Sequence, residues 1–221
     1  MRKVTIFKYQ PIYPRFMTKP KCIDHVLNKI QVEELKNKCE SSKEKLALYG
    51  LLYTGMRVSE FLHIQRDWID FKNETITVPL EMKCSCHDCT RELKSKKGRI
   101  TKDKGQWKPK TTSGSRTIRI LPELIPLFNE YFKNHESIME LFKNRIEIWR
   151  TVKRVHRKTT IKNIFPHSIR STYASLIAEF VDNPLDLKDM MGWRSLDMAQ
   201  HYIKMSKERA KKISERFVGK W

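Results

Sequence analysis

From about residue 30 the apolar positions fall into a helical repeat. Val32, Leu35 and Cys39 share one face of a first helix, and residues 44–54 (EKLALYGLLYT) read as a buried helix that stops at Gly55. A helix over 57–65 follows, then a turn at 72–74 and a short strand over 74–79 (ETITVP). Two further strands, 105–110 (GQWKPK) and 115–121 (SRTIRIL), flank the turn-rich TTSG and are expected to pair with each other. Beyond Pro122 the pattern is helical again, over 123–133, over 137–157 with one heavily basic face, and then near 167–180, 185–191 and 196–204. Residues 205–221 read as an amphipathic tail helix, with Ala210, Ile213, Phe217 and Trp221 on one face and Lys and Arg opposite. These elements predict an α+β fold, mostly helical, with a small antiparallel three-stranded sheet.

Two segments break the rhythm. Residues 1–27 are interrupted by Pro11, Pro14 and Pro20, and only 4–8 (VTIFK) alternates as a strand does, so this stretch reads as an arm or linker. Residues 81–106 hold three Cys, one His and many Lys, with little apolar content, and read as an insertion. With no internal repeat, residues 28–221 are expected to form one main domain.

Charge sharpens this picture. Forty-five Lys and Arg against 25 Asp and Glu give a net charge of +20, a field that attracts polyanions and favours counterion release from a phosphate backbone. No apolar run approaches the roughly 20 residues needed to span a bilayer, and no membrane partner is expected. The start, MRKVTIFKYQPIYPRF, lacks the apolar core of a signal peptide, and the five cysteines are not spaced as a secreted disulfide framework. The expected place of work is the cytoplasm.

Three short segments carry candidate chemistry. In TGMRVSE, Arg57 stands at a helix start after Gly55, with Glu60 three residues on and able to hold it. In PHSIR, His167 and Arg170 lie one helical turn apart and can converge on one phosphate. In MMGWRSLDMAQHYIK, Trp193 follows Gly192 and Tyr202 comes nine residues later; an indole N–H can donate to a phosphate oxygen and a phenol can be a nucleophile. Taken singly, each is more often an ordinary ion pair, a solvated helix start or packed core.

In this order, with a hairpin lysine between the first two, the segments resemble the boxes of the tyrosine recombinase (phage-type integrase) family over roughly residues 30–204. TGMRVSE resembles the first-arginine box, HSIRSTYAS the HxLRHTFAT box, and MMGWRSLDMAQHYIK the LGH…TxxxY box. The resemblance implies the tyrosine recombinase catalytic-domain fold and metal-independent cleavage and rejoining of double-stranded DNA, in site-specific recombination or in integration of a virus, plasmid or other mobile element. It assigns Arg57 and Arg170 to the scissile phosphate, His167 to the phosphate or the tyrosine proton, Trp193 to a non-bridging oxygen, Tyr202 to nucleophilic attack and Glu60 to support. The general acid is expected at Lys110, with Lys108 in reserve. Ser171 departs from the family's usual His. Work as a tetramer on two duplexes is also implied, with the tail helix either reaching a neighbouring protomer or folding back on its own core. Family members usually carry a further helical domain that closes around DNA, whereas only about 27 residues precede the catalytic domain. An excised domain, a naturally short recombinase and part of a split one all fit. A type IB topoisomerase-like enzyme and a catalytically silent DNA-binding relic are the alternatives.

Two further features lie outside those boxes. Lys153, Arg154 and Arg157, on the basic helix, are expected to face DNA. Cys84, Cys86, His87 and Cys89 offer three thiols and an imidazole in six residues, a ligand set suited to a structural zinc. Four ligands from so tight a run is unusual, so one can come from elsewhere, and a cysteine-rich loop without metal is the alternative.

Overall fold

The computed structural model describes residues 25–90 and 105–218. The expectations for the strand at 4–8 and the arm before residue 25 lie outside the described residues, as do the side chains of Ala210, Ile213, Phe217 and Trp221.

Helix α1 (Lys29–Asn37) starts on a capping box in which the Asn28 side chain accepts from the Gln31 N–H and the Gln31 side chain from the Asn28 N–H. Helix α2 (Ser42–Thr54) is capped by Ser41, and ends where Gly55 turns left-handed at φ 59° and donates its N–H to Leu51 O. Leu46, Leu48, Leu51 and Leu52 on α2 are all buried, which fits its central place against α1, α3 (Val58–Leu62), α5 (Ile125–Tyr131), α6 (Arg145–His156) and α7 (Pro166–Ile177). The expected helix over 137–157 is split, because a 3-10 turn at Ile138–Glu140 and an Asn144 cap precede α6.

The sheet has three antiparallel strands, but not from the expected pairing. Strand β1 (Ile69–Asp70) pairs with β2 (Thr75–Val78), and β2 pairs with β5 (Arg116–Arg119) in the register Ile76 to Ile118. Strand β4 (Gln106–Trp107) pairs instead with β3 (Met82–Lys83), inside the segment read as an insertion. The reason is local: Thr112–Gly114 forms a 3-10 turn rather than a hairpin link, so the chain leaves β4 in one direction and enters β5 on another sheet. A short helix, α4 (His87–Thr90), lies between β3 and β4 in the chain.

Apolar side chains gather in two clusters. The larger contains α1–α3, the sheet, α5 and α6, with Phe61, Phe128, Phe132 and Phe142 fully buried. The smaller joins α7, α8 (Pro184–Met191) and α9 (Leu196–Val218) through Tyr173, Ala174, Leu187, Met191, Ala199, Tyr202 and Ile203. The expected helix at 196–204 and the tail as far as Val218 are thus one continuous 23-residue helix. At the seam, Gly55 meets Tyr173: a Cβ on Gly55 would fall 2.2 Å from that ring.

Gly55→Ala should therefore lower the unfolding free energy by at least about 1–2 kcal/mol for the left-handed backbone alone, with the ring overlap added. Urea denaturation of the two proteins checks this; equal midpoints would show that the α2 cap does not need glycine.

Candidate active site

Glu60 is the centre around which the site is built. It lies in the first turn of α3, 1% exposed, and its Oε2 accepts the Arg57 backbone N–H at 3.0 Å. Its Oε1 takes Arg57 Nη1 at 2.6 Å and its Oε2 takes Arg116 Nη2 at 3.0 Å, with Arg170 Nη1 3.8 Å away. Three guanidiniums thus share one carboxylate. The same three are held from the other side by successive carbonyls ending α8: Arg116 Nε donates to Met190 O at 3.0 Å, Arg170 Nη2 to Met191 O, and Arg57 Nη2 to Gly192 O at 3.0 Å. Arg170 Nη1 also donates to Gly55 O at the end of α2. Carbonyls at helix C-termini carry partial negative charge, so these contacts suit cations electrostatically as well as geometrically.

Gly192 makes this approach feasible. It caps α8 at φ 59°, with its own N–H on Asp189 O and the Trp193 N–H on Lys188 O. A Cβ there would sit 2.9 Å from Ser113 O and 3.0 Å from Arg116 Nη1.

Arg57, Glu60, Lys108, Lys110, His167, Arg170 and Trp193 all line one cavity of about 590 Å³. His167 and Arg170 come from the start of α7, where Pro166 occupies the first turn. Lys108 and Lys110 come from the chain between β4 and the 3-10 turn; Lys108 forms an ion pair with Glu81 at 3.1 Å. Loss of solvent around the His167 ring, then the charges of Arg170, Arg57 and Lys110, hold its pKa below the ordinary imidazole value, so it is neutral at neutral pH. Burial lowers the Arg170 pKa while Glu60 opposes that shift, and the guanidinium stays charged.

Tyr202 does not line that cavity. It is 3% exposed and stacks on Trp193, ring centroids 5.3 Å apart and planes 15° from parallel. Trp193 is half-buried and stands between the phenol ring and the cavity wall to which it contributes.

Arg116 and His63 were not singled out as site residues from the sequence. Arg116 sits where the order of the boxes marks only a strand, and nothing in its neighbours signals that it turns back onto Glu60. The cysteine cluster also differs from expectation. The His87 side chain is 83% exposed and 3.8 Å from Asp88, whereas Cys84, Cys86 and Cys89 gather around the buried His63. Of the basic α6 residues, Lys153 lies over the Trp149 ring at 5.6 Å and Arg154 reaches Glu44 on α2 at 3.9 Å. Arg157 is the C-cap of α6.

Among the described residues no helix is long and apolar enough to cross a membrane.

The fold is that of tyrosine recombinase catalytic domains. Residues 25–209 match the phage integrase family, and the chain belongs to it. It is 26% identical over 177 residues to the tyrosine recombinase XerA of Saccharolobus solfataricus, a match spanning 80% of this chain and 50% of that protein. The chain therefore spans about half the length of that curated relative. The structure resembles XerA recombinase at a TM-score of 0.63, with 14% identity over 95% of this chain and 66% of the other. It resembles the Tn1549 transposon integrase, solved with transposon right end DNA, at a TM-score of 0.60, with 21% identity over 86% and 66% of the two chains.

Burial alone would raise the Glu60 pKa, but Arg116, Arg170 and Arg57 outweigh it and hold the carboxyl below its ordinary range. The stability this contributes is present above the unfolded-state pKa, about 4.3, and is lost as pH falls through the lower folded value. Glu60→Gln should lower the unfolding free energy at pH 7 by about 3–5 kcal/mol, since it leaves buried guanidiniums without a counter-charge. The gap between parent and variant should narrow below pH of about 4. Urea denaturation at both pH values measures it; an unchanged gap would remove Glu60 from the centre of the site.

Proposed function

We propose that this chain is the catalytic domain of a site-specific recombinase or integrase that cuts and rejoins double-stranded DNA through a 3′-phosphotyrosyl bond to Tyr202. The observation that carries this reading is the convergence of Arg57, Lys110, His167, Arg170 and Trp193 on one cavity, with Tyr202 directly behind Trp193.

Electrostatics support a phosphodiester as the occupant. Glu60 offsets one of three guanidinium charges, leaving the wall cationic and suited to the charge that develops on a five-coordinate phosphate. Arg57 and Arg170 hold the non-bridging oxygens, and the Trp193 indole N–H donates to one of them. Tyr202 Oη attacks phosphorus and its proton passes to the neutral His167. The bond from phosphorus to the 5′-bridging oxygen breaks, and Lys110 supplies the proton that makes this oxygen a free 5′-hydroxyl. Attack by a 5′-hydroxyl of another strand reverses each transfer and restores Tyr202. Every step is a proton or phosphoryl transfer that these side chains complete without a metal. Since Tyr202 is covered by Trp193, cleavage requires the two aromatic rings to part.

Lys153, Arg154, Arg157 and Lys108 add to the surface that meets the DNA backbone, and the net charge of +20 supports that partner. Each strand cut consumes one Tyr202, and exchange between two duplexes involves four strands, so a tetramer on DNA is the assembly that completes the reaction. The protein works in the cytoplasm, where its DNA is.

Tyr202→Phe should abolish covalent adducts on a suicide substrate while changing DNA affinity by no more than about twofold, because most affinity comes from other phosphate contacts. Adducts that persist would place the nucleophile elsewhere. Lys110→Ala should lose cleavage of an ordinary strand and regain it when the 5′-bridging oxygen is replaced by sulfur, a leaving group that needs no proton. Rescue of Lys108→Ala instead would move the general acid to Lys108.

A further inference from the structure

We propose that His63, Cys84, Cys86 and Cys89 bind one zinc ion, which staples the β3–β4 strand pair to the C-terminal end of α3. The four ligand atoms come from two places far apart in sequence, yet all lie within 4.8 Å of one another. His63, Cys84 and Cys89 are buried, and Cys86 is partly so.

The imidazole is set for coordination. Its Nδ1 lies 2.7 Å from Ser59 O, one helical turn back, and a carbonyl can only accept. Nδ1 therefore carries the proton and Nε2 presents its lone pair, the arrangement in which the far nitrogen of a ligating histidine is oriented by a backbone oxygen. Trp107 stacks on the ring, centroids 5.2 Å apart, and its indole N–H reaches Ser59 Oγ at 3.3 Å, so both face and tilt of the imidazole are fixed.

The sulfurs stand at matching distances. A tetrahedral zinc with Zn–S of about 2.3 Å and Zn–N of about 2.0–2.1 Å puts each N···S edge near about 3.5 Å. His63 Nε2 is 3.4 Å from Cys86 Sγ and 3.5 Å from Cys89 Sγ. The same geometry asks for S···S edges of about 3.8 Å, so closing the 4.8 Å set around an ion takes shifts under about 1 Å. The Cys86 backbone N–H points to Cys84 Sγ at 3.4 Å, a contact that suits a sulfur carrying negative charge. The turn itself is tight: the Cys89 and Thr90 N–H groups both reach Cys86 O.

Four protein ligands leave no open position, so the ion is structural rather than catalytic. Its consequence is positional. Cys84 N–H donates to Gly105 O and Gly105 N–H to Cys89 O, so the thiols fix the strand pair that ends at Trp107 and leads on to Lys108 and Lys110. On the other side, His63 ends the helix whose first turn holds Arg57 and Glu60. A bound zinc would join the wall carrying the lysines to the wall carrying the arginine. The metal site stands without the strand-transfer reading; its effect on Lys110 rests on it.

The test is zinc content of the purified full chain after dialysis, by plasma mass spectrometry, with the spectrum of the cobalt-substituted protein. About one zinc per chain is expected, with the intense tetrahedral thiolate–cobalt bands. Cys84→Ser, Cys86→Ser, Cys89→Ser and His63→Gln should each lose the metal, whereas His87→Ala should keep it. His63→Cys supplies a fourth thiolate and should also keep it, separating lost coordination from lost folding. A folded chain with no metal, a Cys86–Cys89 disulfide in place of it, or zinc lost with His87→Ala and kept with His63→Gln would each overturn the site. Zinc removal should slow cleavage of an ordinary phosphodiester more than that of the 5′-phosphorothiolate; an equal effect on both would overturn the positioning of Lys110.

Discussion

A single buried carboxylate with three guanidiniums around it is the interaction on which the rest of this structure depends. Arg57 comes from the start of α3, Arg116 from β5 and Arg170 from α7, so the ion cluster ties the larger apolar cluster to the smaller one. Taking each guanidinium out of water costs several kcal/mol, and Glu60 alone cannot offset three. The remaining compensation is main-chain: the carbonyls of Gly55, Met190, Met191 and Gly192 accept from the same side chains. Among the described residues no buried side-chain nitrogen or oxygen is without a hydrogen-bond partner. A cationic pocket is stable here because one full negative charge is supplemented by carbonyls that carry only partial charge, so the cations are held without being neutralised.

The same arrangement presets the pocket for an anion, and under the proposed function that anion is the scissile phosphate. Guanidiniums fixed by two helix ends do not need to be gathered when a ligand arrives, which is the condition under which oriented donors act best on developing charge. The tyrosine is treated differently. Its ring packs with Ala199, Leu187 and Met191 in the smaller core and is covered by Trp193. The cationic half of the site is thus assembled in the free chain, while the Tyr202 phenol stays behind an aromatic cover.

Much of this was readable from the chain. Helices ending at Gly55 and Gly192 announce themselves because apolar periodicity and a terminal glycine are both local signals. The spacing of Arg57 and Glu60, and of His167 and Arg170, is set by one helical turn, and their convergence follows the order of the boxes. What escaped depends on contacts far apart in sequence. Arg116 reaches Glu60 across 56 positions, and His63 reaches Cys86 across 23. A lone histidine at a helix end gives no hint of three thiols, whereas His87 stood among them and misled. Strand pairing failed for a related reason: TTSG looks like a hairpin link, but its 3-10 turn sends β4 to β3 and β5 to β2.

The grip of α8 on the arginines has a consequence for how this chain can drift. Because Met190 acts on Arg116 only through its carbonyl, and its side chain is 41% exposed, many amino acids can stand there without changing the contact. Gly192 has no such latitude, since its left-handed turn and its closeness to Ser113 exclude a side chain. The demand on three peptide groups is therefore written in the sequence as one letter. Homologues could diverge at position 190 and still hold their arginines alike, whereas Met191 is also tied to the smaller core.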